Sequence, residues 1–225
     1  MLTLPLVLSA LSLTKPHLPV SNLLTSKGNY AVGYKARECD AFKLEVCYAH
    51  YFSNFNLTIS PFPKFEQYMK AMERLYKGDA KDRKKICRWH RTLTKCLGPA
   101  TVETCENTPA FQHAFGISGE DPMAYQAIYH MFNSMCTEHY HSFVDDFLCL
   151  LKVDEDHTEE RMKCDEDYFG KMGDGFACKS EVDYAKCMDK LFVKGCGEKV
   201  AKMACDLRRV KMSSITFVCD RDLKC

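Results

Sequence analysis

The sequence predicts an all-α, disulfide-rich helical domain. The chain has 225 residues and 14 cysteines, and an even number of that size is typical of proteins from an oxidising compartment. Apolar residues recur at helical spacing through most of the chain after residue 38. Cysteines also recur at an even interval of eight intervening residues, first as Cys87, Cys96 and Cys105 and again as Cys178, Cys187, Cys196 and Cys205.

The amino terminus predicts a signal peptide. The apolar run from Leu2 to Leu13 is far shorter than the roughly 20 residues of a membrane span, and Ala10-Leu11-Ser12 fits the small-x-small pattern of a cleavage site. No Lys or Arg precedes the run, so a buried amino-terminal helix is the alternative. We expect residues 1–12 to be the signal peptide, residues 13–37 a flexible lead-in, and residues 38–225 a cysteine-rich helical extracellular domain.

Composition and charge exclude several classes of partner. Apolar residues make up 46% and charged residues 27% of the chain, as in an ordinary globular protein. The net charge is +1, so no field of one sign attracts nucleic acid or an acidic membrane. We therefore expect no nucleic-acid partner. The cysteine count and the short amino-terminal run predict a secreted, extracellular protein with no membrane span.

The cysteine spacing argues against a metal site. Structural zinc sites take cysteines two to four residues apart, whereas the closest pair here, Cys219 and Cys225, has five residues between its members. No C-x-x-C motif occurs, which also argues against thioredoxin-like redox chemistry. We predict that the cysteines form disulfides and that the protein needs no cofactor.

Several helices can be placed from the pattern. Phe42, Val46, Ala49 and Tyr51 begin a first helix that should end near residues 54–56. A second apolar stripe runs from Phe65 to Tyr76, and Gly78 is well placed to end that helix.

The middle of the chain contains residues that typically break or begin helices. Gly98-Pro99 predicts a break, and residues 106–119 are interpreted as a loop. Asp121-Pro122 predicts a helix start, which is followed by an apolar stripe of Ala124, Ile128, Met131, Phe132 and Met135. A bend is expected at residues 137–139.

Asn56-Leu57-Thr58 is an N-glycosylation sequon just before a turn that contains two prolines. A sequon in a loop of a secreted chain is a candidate for modification. We predict a glycan on Asn56.

The glycines around Cys196 predict a helical hairpin. Folding there brings Cys187 and Cys205 to the same level, so a bridge between them is the first hypothesis. The symmetric spacing of the neighbouring cysteines allows a nested alternative, Cys178 with Cys205 and Cys164 with Cys219. The full set expected in disulfides is Cys39, Cys47, Cys87, Cys96, Cys105, Cys136, Cys149, Cys164, Cys178, Cys187, Cys196, Cys205, Cys219 and Cys225.

A weak internal repeat indicates two similar helical halves. A shift of 91 residues places Cys87, Cys96 and Cys105 on Cys178, Cys187 and Cys196. The same shift places Cys47 and Cys136 within two residues of Cys136 and Cys225. Duplication of a helical unit is one hypothesis for this pattern.

The order of the cysteines resembles a known family. A Cys-x8-Cys-x8-Cys run, Cys87 to Cys105, carries Lys95-Cys96-Leu97 at its centre. The later evenly spaced run, Cys178 to Cys205, carries Lys186-Cys187-Met188. This pattern resembles the nematode cysteine-rich extracellular domain of unknown function, domain of unknown function nineteen, over about residues 39–225. The resemblance implies secretion and a full set of disulfides, and the family offers no established activity or catalytic residues to transfer.

The search for a catalytic or metal site gives a negative result. The densest polar cluster holds His139, His141, Asp145 and Asp146. Histidines at i and i+2 point about 200° apart on a helix and cannot share a metal ion, whereas His139 could pair with Asp146. No G-x-S-x-G, H-E-x-x-H, P-loop or G-x-G-x-x-G motif occurs.

Two further clusters have ordinary interpretations. In the pair Trp89-His90, the tryptophan is interpreted as a packed residue and the histidine as a surface residue. The basic residues Lys81, Arg83, Lys84, Lys85, Arg88 and Arg91 are interpreted as a solvated helix surface, with a polyanion patch as the alternative.

The sequence therefore predicts a secreted, non-catalytic binding or interaction module for an extracellular protein or glycan. The first alternative is a carrier of small apolar ligands, which a cavity lined by Met69, Met72, Met131 or Met135 would support. The second alternative is a secreted hydrolase, which the absence of a nucleophile motif disfavours.

Overall fold

The computed structural model describes residues 39–172, 178–215 and 223–225. Within these ranges the chain forms nine α-helices and a short π-helical segment, and it contains no β-strand. The helices are α1 (Ala41–Ser53), α2 (Phe65–Tyr76), α3 (Ala80–Cys105), α4 (Thr108–Phe115), α5 (Asp121–Cys136), α6 (Phe147–Asp156), α7 (Thr158–Met172), α8 (Cys178–Cys196) and α9 (Glu198–Ile215), with the π-helical segment Ser142–Asp146 before α6. The prediction of an all-α, disulfide-rich domain is confirmed, whereas the predicted signal peptide and lead-in lie outside the described residues.

Helix α1 begins where the sequence predicts a helix, but it buries a different face. The Asp40 carboxylate caps it by accepting a 3.0 Å hydrogen bond from the Lys43 amide. The predicted helix is present, but Phe42 is 76% exposed and Val46 is 43% exposed, whereas Tyr51 of the same predicted set is buried. The buried face carries Leu44, Cys47, Tyr48, Tyr51 and Phe52. The bridge from Cys47 to Cys96, together with the one from Cys39 just before the helix to Cys105, holds this face against α3.

Helices α2 and α3 largely follow their predictions. Tyr68, Met69, Met72 and Tyr76 form the buried face of α2, as expected. The predicted break at Gly98-Pro99 is a kink inside α3, where Gly98 adopts a left-handed φ of 69° and the helix then continues to Cys105.

The prediction of a loop over residues 106–119 is wrong, because residues 108–115 form α4. The Asn107 side chain caps α4 by accepting a 2.9 Å hydrogen bond from the Ala110 amide, and Pro109 lies in the first turn. Gly116, at φ 62°, ends the helix. The signals for a short helix were therefore present in the sequence.

The first unit of the fold comprises α1–α5, residues 39–136. Cys39–Cys105 and Cys47–Cys96 join α1 to α3 in a nested pair, and Cys87–Cys136 joins α3 to α5. Inside this frame Phe52 contacts the rings of Tyr48, Tyr51, Phe62, Tyr68 and Tyr125 at centroid distances between 5.2 and 5.9 Å. The core of the first unit is thus a cluster of interlocking aromatic rings.

The second unit comprises α6–α9 and the described carboxyl-terminal residues. Cys149–Cys196 joins α6 to the end of α8, and Cys164–Cys187 joins α7 to the middle of α8. The predicted hairpin is confirmed, because α8 ends at Cys196, α9 begins at Glu198, and Gly197 between them has a φ of 78°.

Both disulfide hypotheses for the hairpin are wrong. Cys187 pairs with Cys164, and Cys205 pairs with Cys225, which excludes the Cys187–Cys205 bridge and also both bridges of the nested alternative. The reason is that α7 packs against α8, so Cys164 and Cys187 lie opposite each other with a Cα–Cα distance of 5.9 Å. Cys178 is also disulfide-bonded, and no cysteine is free in the described part of the chain.

The two units share a nested pattern of bridges. The outer bridges are Cys39–Cys105 and Cys149–Cys196, and the inner bridges are Cys47–Cys96 and Cys164–Cys187. Cys96 and Cys187 are therefore the second cysteines of the two inner bridges, and Cys105 and Cys196 are the second cysteines of the two outer bridges. Both equivalences agree with the shift of 91 residues. The matching of Cys47 with Cys136 is wrong, because Cys47 forms an inner bridge whereas Cys136 pairs with Cys87.

Helices α5 and α9 join the units and pack extensively against each other. Val200, Met203 and Leu207 of α9 are buried, as predicted for this helix. The predicted apolar stripe of α5 is buried throughout. No helix in the described ranges is long and apolar enough to cross a membrane.

Candidate functional site

A polar stripe runs along one side of α5, opposite its apolar core face. Its members follow the helical intervals i, i+4, i+7, i+8 and i+11 and are Gln126, His130, Asn133, Ser134 and Thr137, the last just beyond the end of the helix. Such a stripe on a helix whose other residues are almost all buried needs either polar partners or solvent. The structure places it along a groove.

The groove lies between α5 and the last turns of α9, where the two units meet. Val210, Ser213 and Ser214 line the α9 side, Glu138 lies beyond the end of α5, and the volume is about 400 Å³. Small-molecule sites have volumes of roughly 300–1,000 Å³ and often lie between structural units. The groove therefore has the size and the position of a ligand site.

Most of the polar groups in the groove are held in place by hydrogen bonds. The Gln126 side-chain oxygen accepts from the Thr108 amide at 2.9 Å and from the Thr108 hydroxyl at 2.8 Å. The hydroxyls of Ser213 and Ser214 donate to the Val210 carbonyl at 2.9 and 2.8 Å. Because a hydroxyl that donates one hydrogen bond still has two acceptor lone pairs, these serines can accept from a ligand.

Ser134 differs from the other groove residues. Its side-chain oxygen is buried and has no hydrogen-bond partner, and the residue is only 7% exposed. A buried hydroxyl without a partner costs about 1–3 kcal/mol. Because this oxygen is enclosed, it adds a cost to the packing of α5 and is not an open contact for a ligand in this conformation.

The surroundings of His130 favour its uncharged form. Burial of its imidazole is the main cause that lowers its pKa below 6.5, and a hydrogen bond to the Glu106 backbone only partly offsets this effect. Glu138 is exposed. Among the described residues that line the groove, Glu138 is the one carboxylate, and none is a lysine or an arginine.

Behind His130 lies a buried carboxyl group. Glu106 is enclosed, and the Tyr48 hydroxyl donates to its two oxygens at 3.1 and 3.0 Å. Burial is the largest cause that raises the pKa of Glu106, to about 8, and the Tyr48 hydrogen bond acts in the opposite direction. At neutral pH this side chain is therefore mostly a neutral acid.

A second, much smaller cavity lies in the aromatic core. It measures about 10 Å³ and is lined by rings that include Tyr51, Tyr68 and His90. The Tyr51 and Tyr68 hydroxyls are 2.7 Å apart, and His90 Nε2 has no partner. Burial lowers the pKa of His90 to about 3. This space holds no more than about one water molecule and no organic ligand.

The pairing of His139 with Asp146 that the sequence allowed is not formed. His139 lies 3.2 Å from Asp206 of α9 rather than beside Asp146, which faces Lys199 at 3.5 Å. His141 lies 3.7 Å from Asp145 on the exposed surface. No group of three potential metal ligands was found within the described ranges.

The interpretation of Trp89-His90 is only partly right. Trp89 packs edge-on against Phe55 with ring centroids 5.2 Å apart, but His90 is buried rather than on the surface.

The basic cluster of α3 is not a continuous surface patch. Arg83 is buried and donates to the Val144 carbonyl at 2.8 Å and to the Gly78 carbonyl at 2.6 Å. Arg91 donates to the Cys136 carbonyl at 3.1 Å and lies over the Tyr140 ring. Two of the six cations therefore stabilise the fold, which weakens the hypothesis of a polyanion patch.

Asn56 lies on the surface, in the turn that follows α1, and has a positive φ of 56°. Asparagine tolerates this conformation better than most residues. The exposed position leaves room for a glycan, and its attachment remains a prediction.

Sequence analysis missed the groove because it treated α5 only as an apolar stripe. The polar residues from Gln126 to Thr137 were visible at the same helical spacing. The partner surface on α9, in contrast, follows from tertiary packing, and no local pattern indicates it.

Comparison of the chain with protein-family models, with curated proteins and with solved structures gave no significant match.

Proposed function

We propose that this protein is a secreted, non-catalytic binding module and that its ligand site is the groove between α5 and α9. The observation that carries the proposal is the composition of the groove, about 400 Å³ lined mainly by hydroxyl, amide, imidazole and carboxylate groups. Groups of this kind fix a small polar ligand by hydrogen bonds.

Secretion is supported by the cysteines and by the amino-terminal sequence. Every described cysteine is bridged, and such a frame persists in an oxidising compartment. The apolar run in residues 1–12 supplies a route there as a signal peptide. The resemblance to the nematode cysteine-rich extracellular domain points the same way and remains a proposal.

The carrier of small apolar ligands is the weaker alternative. Met69, Met72, Met131 and Met135 are buried in the core and line neither the groove nor the small aromatic cavity. An apolar ligand in the groove would also cover polar groups without replacing their water hydrogen bonds, which is unfavourable. A polar ligand avoids this cost.

A secreted hydrolase is the other alternative. Ser134 and His130 both line the groove, one helical turn apart, but no hydrogen bond joins the serine hydroxyl to the imidazole. A nucleophilic serine is normally activated by such a contact with a base. The arrangement favours binding over acyl transfer.

The proposal can be tested by a fragment screen observed by amide NMR on the disulfide-bonded protein. Polar fragments should shift the side-chain amide signals of Gln126 and Asn133. Asn133→Trp fills the groove from an exposed position and should abolish the shift of Gln126, the reporter that remains in this variant. Gln112→Trp is the matched control, because Gln112 is also an exposed helical amide but does not line the groove.

Hits that concentrate elsewhere, or that bind the Asn133→Trp variant equally well, would refute the groove as the ligand site. Turnover of an ester or amide fragment that stops in Ser134→Ala would instead support the hydrolase.

A further inference from the structure

We propose that the outer side of α3 is a second interaction surface, which binds an extended acidic polysaccharide. The surface is separate from the groove, and only the choice of a polysaccharide as partner rests on the proposed secretion. The distribution of charge along the chain, the spacing of the cations on α3 and the shape of the surface each support the proposal.

The first observation is an uneven distribution of charge, which the net charge of +1 conceals. Residues 64–95, from the start of α2 into α3, contain 11 of the 31 lysines and arginines but only four of the 30 aspartates and glutamates. This stretch therefore has a net charge of +7, and the rest of the chain has a net charge of −6. A local excess of this size attracts an anionic partner even when the total charge is near zero.

The second observation is that exposed cations form a row along α3. The row has four exposed members that share one side of the helix: Lys81, Lys84, Arg88 and Lys95. At 100° and 1.5 Å per residue, they lie within an arc of about 60° and extend over about 21 Å. Arg91 has a similar helical position, but the Cys136 carbonyl and the Tyr140 ring hold its guanidinium. We call the four residues the basic row.

Few carboxylates neutralise the basic row. Within residues 64–95 the described ion pairs join Lys77 to Glu73 and Lys85 to Asp82, so no member of the row has an ion-pair partner among the described residues. The sequence of α3 contains no carboxylate between Asp82 and Glu103. The positive charge of the row is therefore available to a partner from outside the chain.

The two ends of the basic row differ. The Asp79 side chain caps the start of α3 and is attracted electrostatically to Lys81. The other three members lie farther along the helix, beyond the last carboxylate of this region. Lys84, Arg88 and Lys95 are therefore the members expected to contribute most to binding an anion.

The third observation is the shape of the surface, which fits a polymer better than a small anion. The basic row lies on the outside of a helix, and none of its members lines the groove or the aromatic cavity. One exposed ion pair improves an affinity by at most about fivefold, so a small anion would gain little. A polymer with a charge on each repeat can contact several members of the row at once.

The composition of the surface favours a polysaccharide over a membrane or a single-stranded nucleic acid. Helices that lie on membranes insert large apolar side chains, and proteins that bind single strands use exposed aromatic rings. The exposed large apolar side chains of the described residues all lie outside residues 64–95. A sulfated or carboxylated polysaccharide requires only exposed cations, and such polymers occur outside cells, where a secreted protein meets them.

The test measures binding of a fluorescent heparin oligosaccharide, a sulfated polysaccharide, to the disulfide-bonded protein at several salt concentrations. Fluorescent dextran, which is uncharged, should not bind. The row variant combines Lys84→Gln, Arg88→Gln and Lys95→Gln. It should bind heparin about tenfold more weakly at physiological salt, the effect of three exposed ion pairs. The slope of log affinity against log salt should also fall by about two, because fewer counterions are released.

The matched control removes the same charge from the second unit. Its three lysines are exposed on α7 and α8 and have no ion pair with a described residue: Lys163→Gln, Lys186→Gln and Lys190→Gln. This control should keep the heparin affinity of the wild type within about twofold, because its substitutions lie outside the basic row. Circular dichroism and the melting temperature of both variants exclude loss of fold as the cause.

Each other outcome would overturn the proposal. A lack of heparin binding at physiological salt, or an equal loss of affinity in the row variant and the control, would refute the row as a binding site. Tighter binding of phosphatidylserine vesicles or of a DNA duplex would refute a polysaccharide as the partner. Self-association that is sensitive to salt and absent in the row variant would assign the row to a second copy of the chain. The fragment screen of the groove is a separate measurement, so the two proposals can fail independently.

Discussion

The two units of this protein have similar covalent frames and different interiors. Each has an outer bridge around an inner one, and each inner bridge ties a preceding helix to the middle of a long helix. The first unit fills its frame with packed aromatic rings and encloses Glu106 and His90. The second unit places its tyrosine hydroxyls on partly exposed carboxylates, as in the 2.8 Å contact from Tyr184 to Asp165.

This difference shows that a shared set of bridges does not dictate how a core is filled. Aromatic packing stabilises the first unit in addition to its disulfides. The second unit has fewer ring contacts and depends more on its bridges and surface ion pairs. If the units arose by duplication, which remains a prediction, their interiors diverged while the bridges were kept.

The largest effect is expected for Phe52→Ala, compared with Phe192→Ala in α8. Phe52 contacts five other aromatic rings, whereas the described residues give Phe192 no aromatic partner. We expect losses in the free energy of unfolding of about 4–5 kcal/mol for Phe52 and about 3 kcal/mol for Phe192. Urea unfolding measures both, and equal losses would contradict the proposed contrast between the interiors.

The next effect is expected when Cys164 and Cys187 are both replaced by alanine. Their separation of 23 residues gives a loss of about 3 kcal/mol from loop entropy. Hydrogen exchange should accelerate in α7 and α8, while α1 and α3 stay protected by the aromatic core.

The control for this experiment is the Cys47→Ala, Cys96→Ala pair, whose separation of 49 residues predicts a loss of about 4 kcal/mol. Exchange should then accelerate in α1 and α3. Uniform acceleration through the whole chain with either pair would show that the units do not open separately.

A smaller effect, which depends on pH, is expected for Glu106→Gln. The folded pKa of about 8 lies above the ordinary 4.5, so the folded state holds the proton more tightly than the unfolded state. This stabilisation is complete below pH 4.5 and is lost as the pH rises towards 8, at up to about 1.4 kcal/mol per pH unit. Glu106→Gln should flatten this slope in urea unfolding between pH 5 and 8, whereas an unchanged slope would show that Glu106 is charged when folded.

The smallest effect is expected for Asp183→Asn in the second unit, and its dependence on pH is opposite to that of Glu106. The hydrogen bond from Lys179 is the main cause that lowers the pKa of this partly exposed carboxylate below 3.8, and Lys171 contributes less. Its stabilisation is present above pH 3.8 and is lost as the pH falls through the lowered pKa. Added salt should weaken the difference between variant and wild type, and a difference that does not depend on salt would argue against an ion pair.

The sequence was a good guide to the helices and a poor guide to what lies between them. The stripe of α2, the start of α5 and the hairpin at Gly197 follow from local spacing and turn chemistry, and they were predicted. The outward position of Phe42 and Val46 was not, because an apolar residue at helical spacing does not reveal which face meets a partner.

The same limit applies to the bridges and the groove. The pairing of Cys164 with Cys187 depends on α7 packing against α8, and sequence spacing alone favoured Cys205. The α5 side of the groove could be recognised in the sequence as a polar stripe. Ser213 and Ser214 join the groove only through the contact of α5 with α9.

The order of the bridges along the chain has a consequence for biosynthesis. In each of the six described pairs, at least one other cysteine lies between the two partners. A ribosome delivers the chain from its amino terminus, so oxidation in order of emergence would join Cys39 to Cys47, which are partners of other residues in the folded state. Maturation therefore requires either delayed oxidation or thiol–disulfide exchange, and heterologous production should depend on an oxidising host compartment that contains a disulfide isomerase.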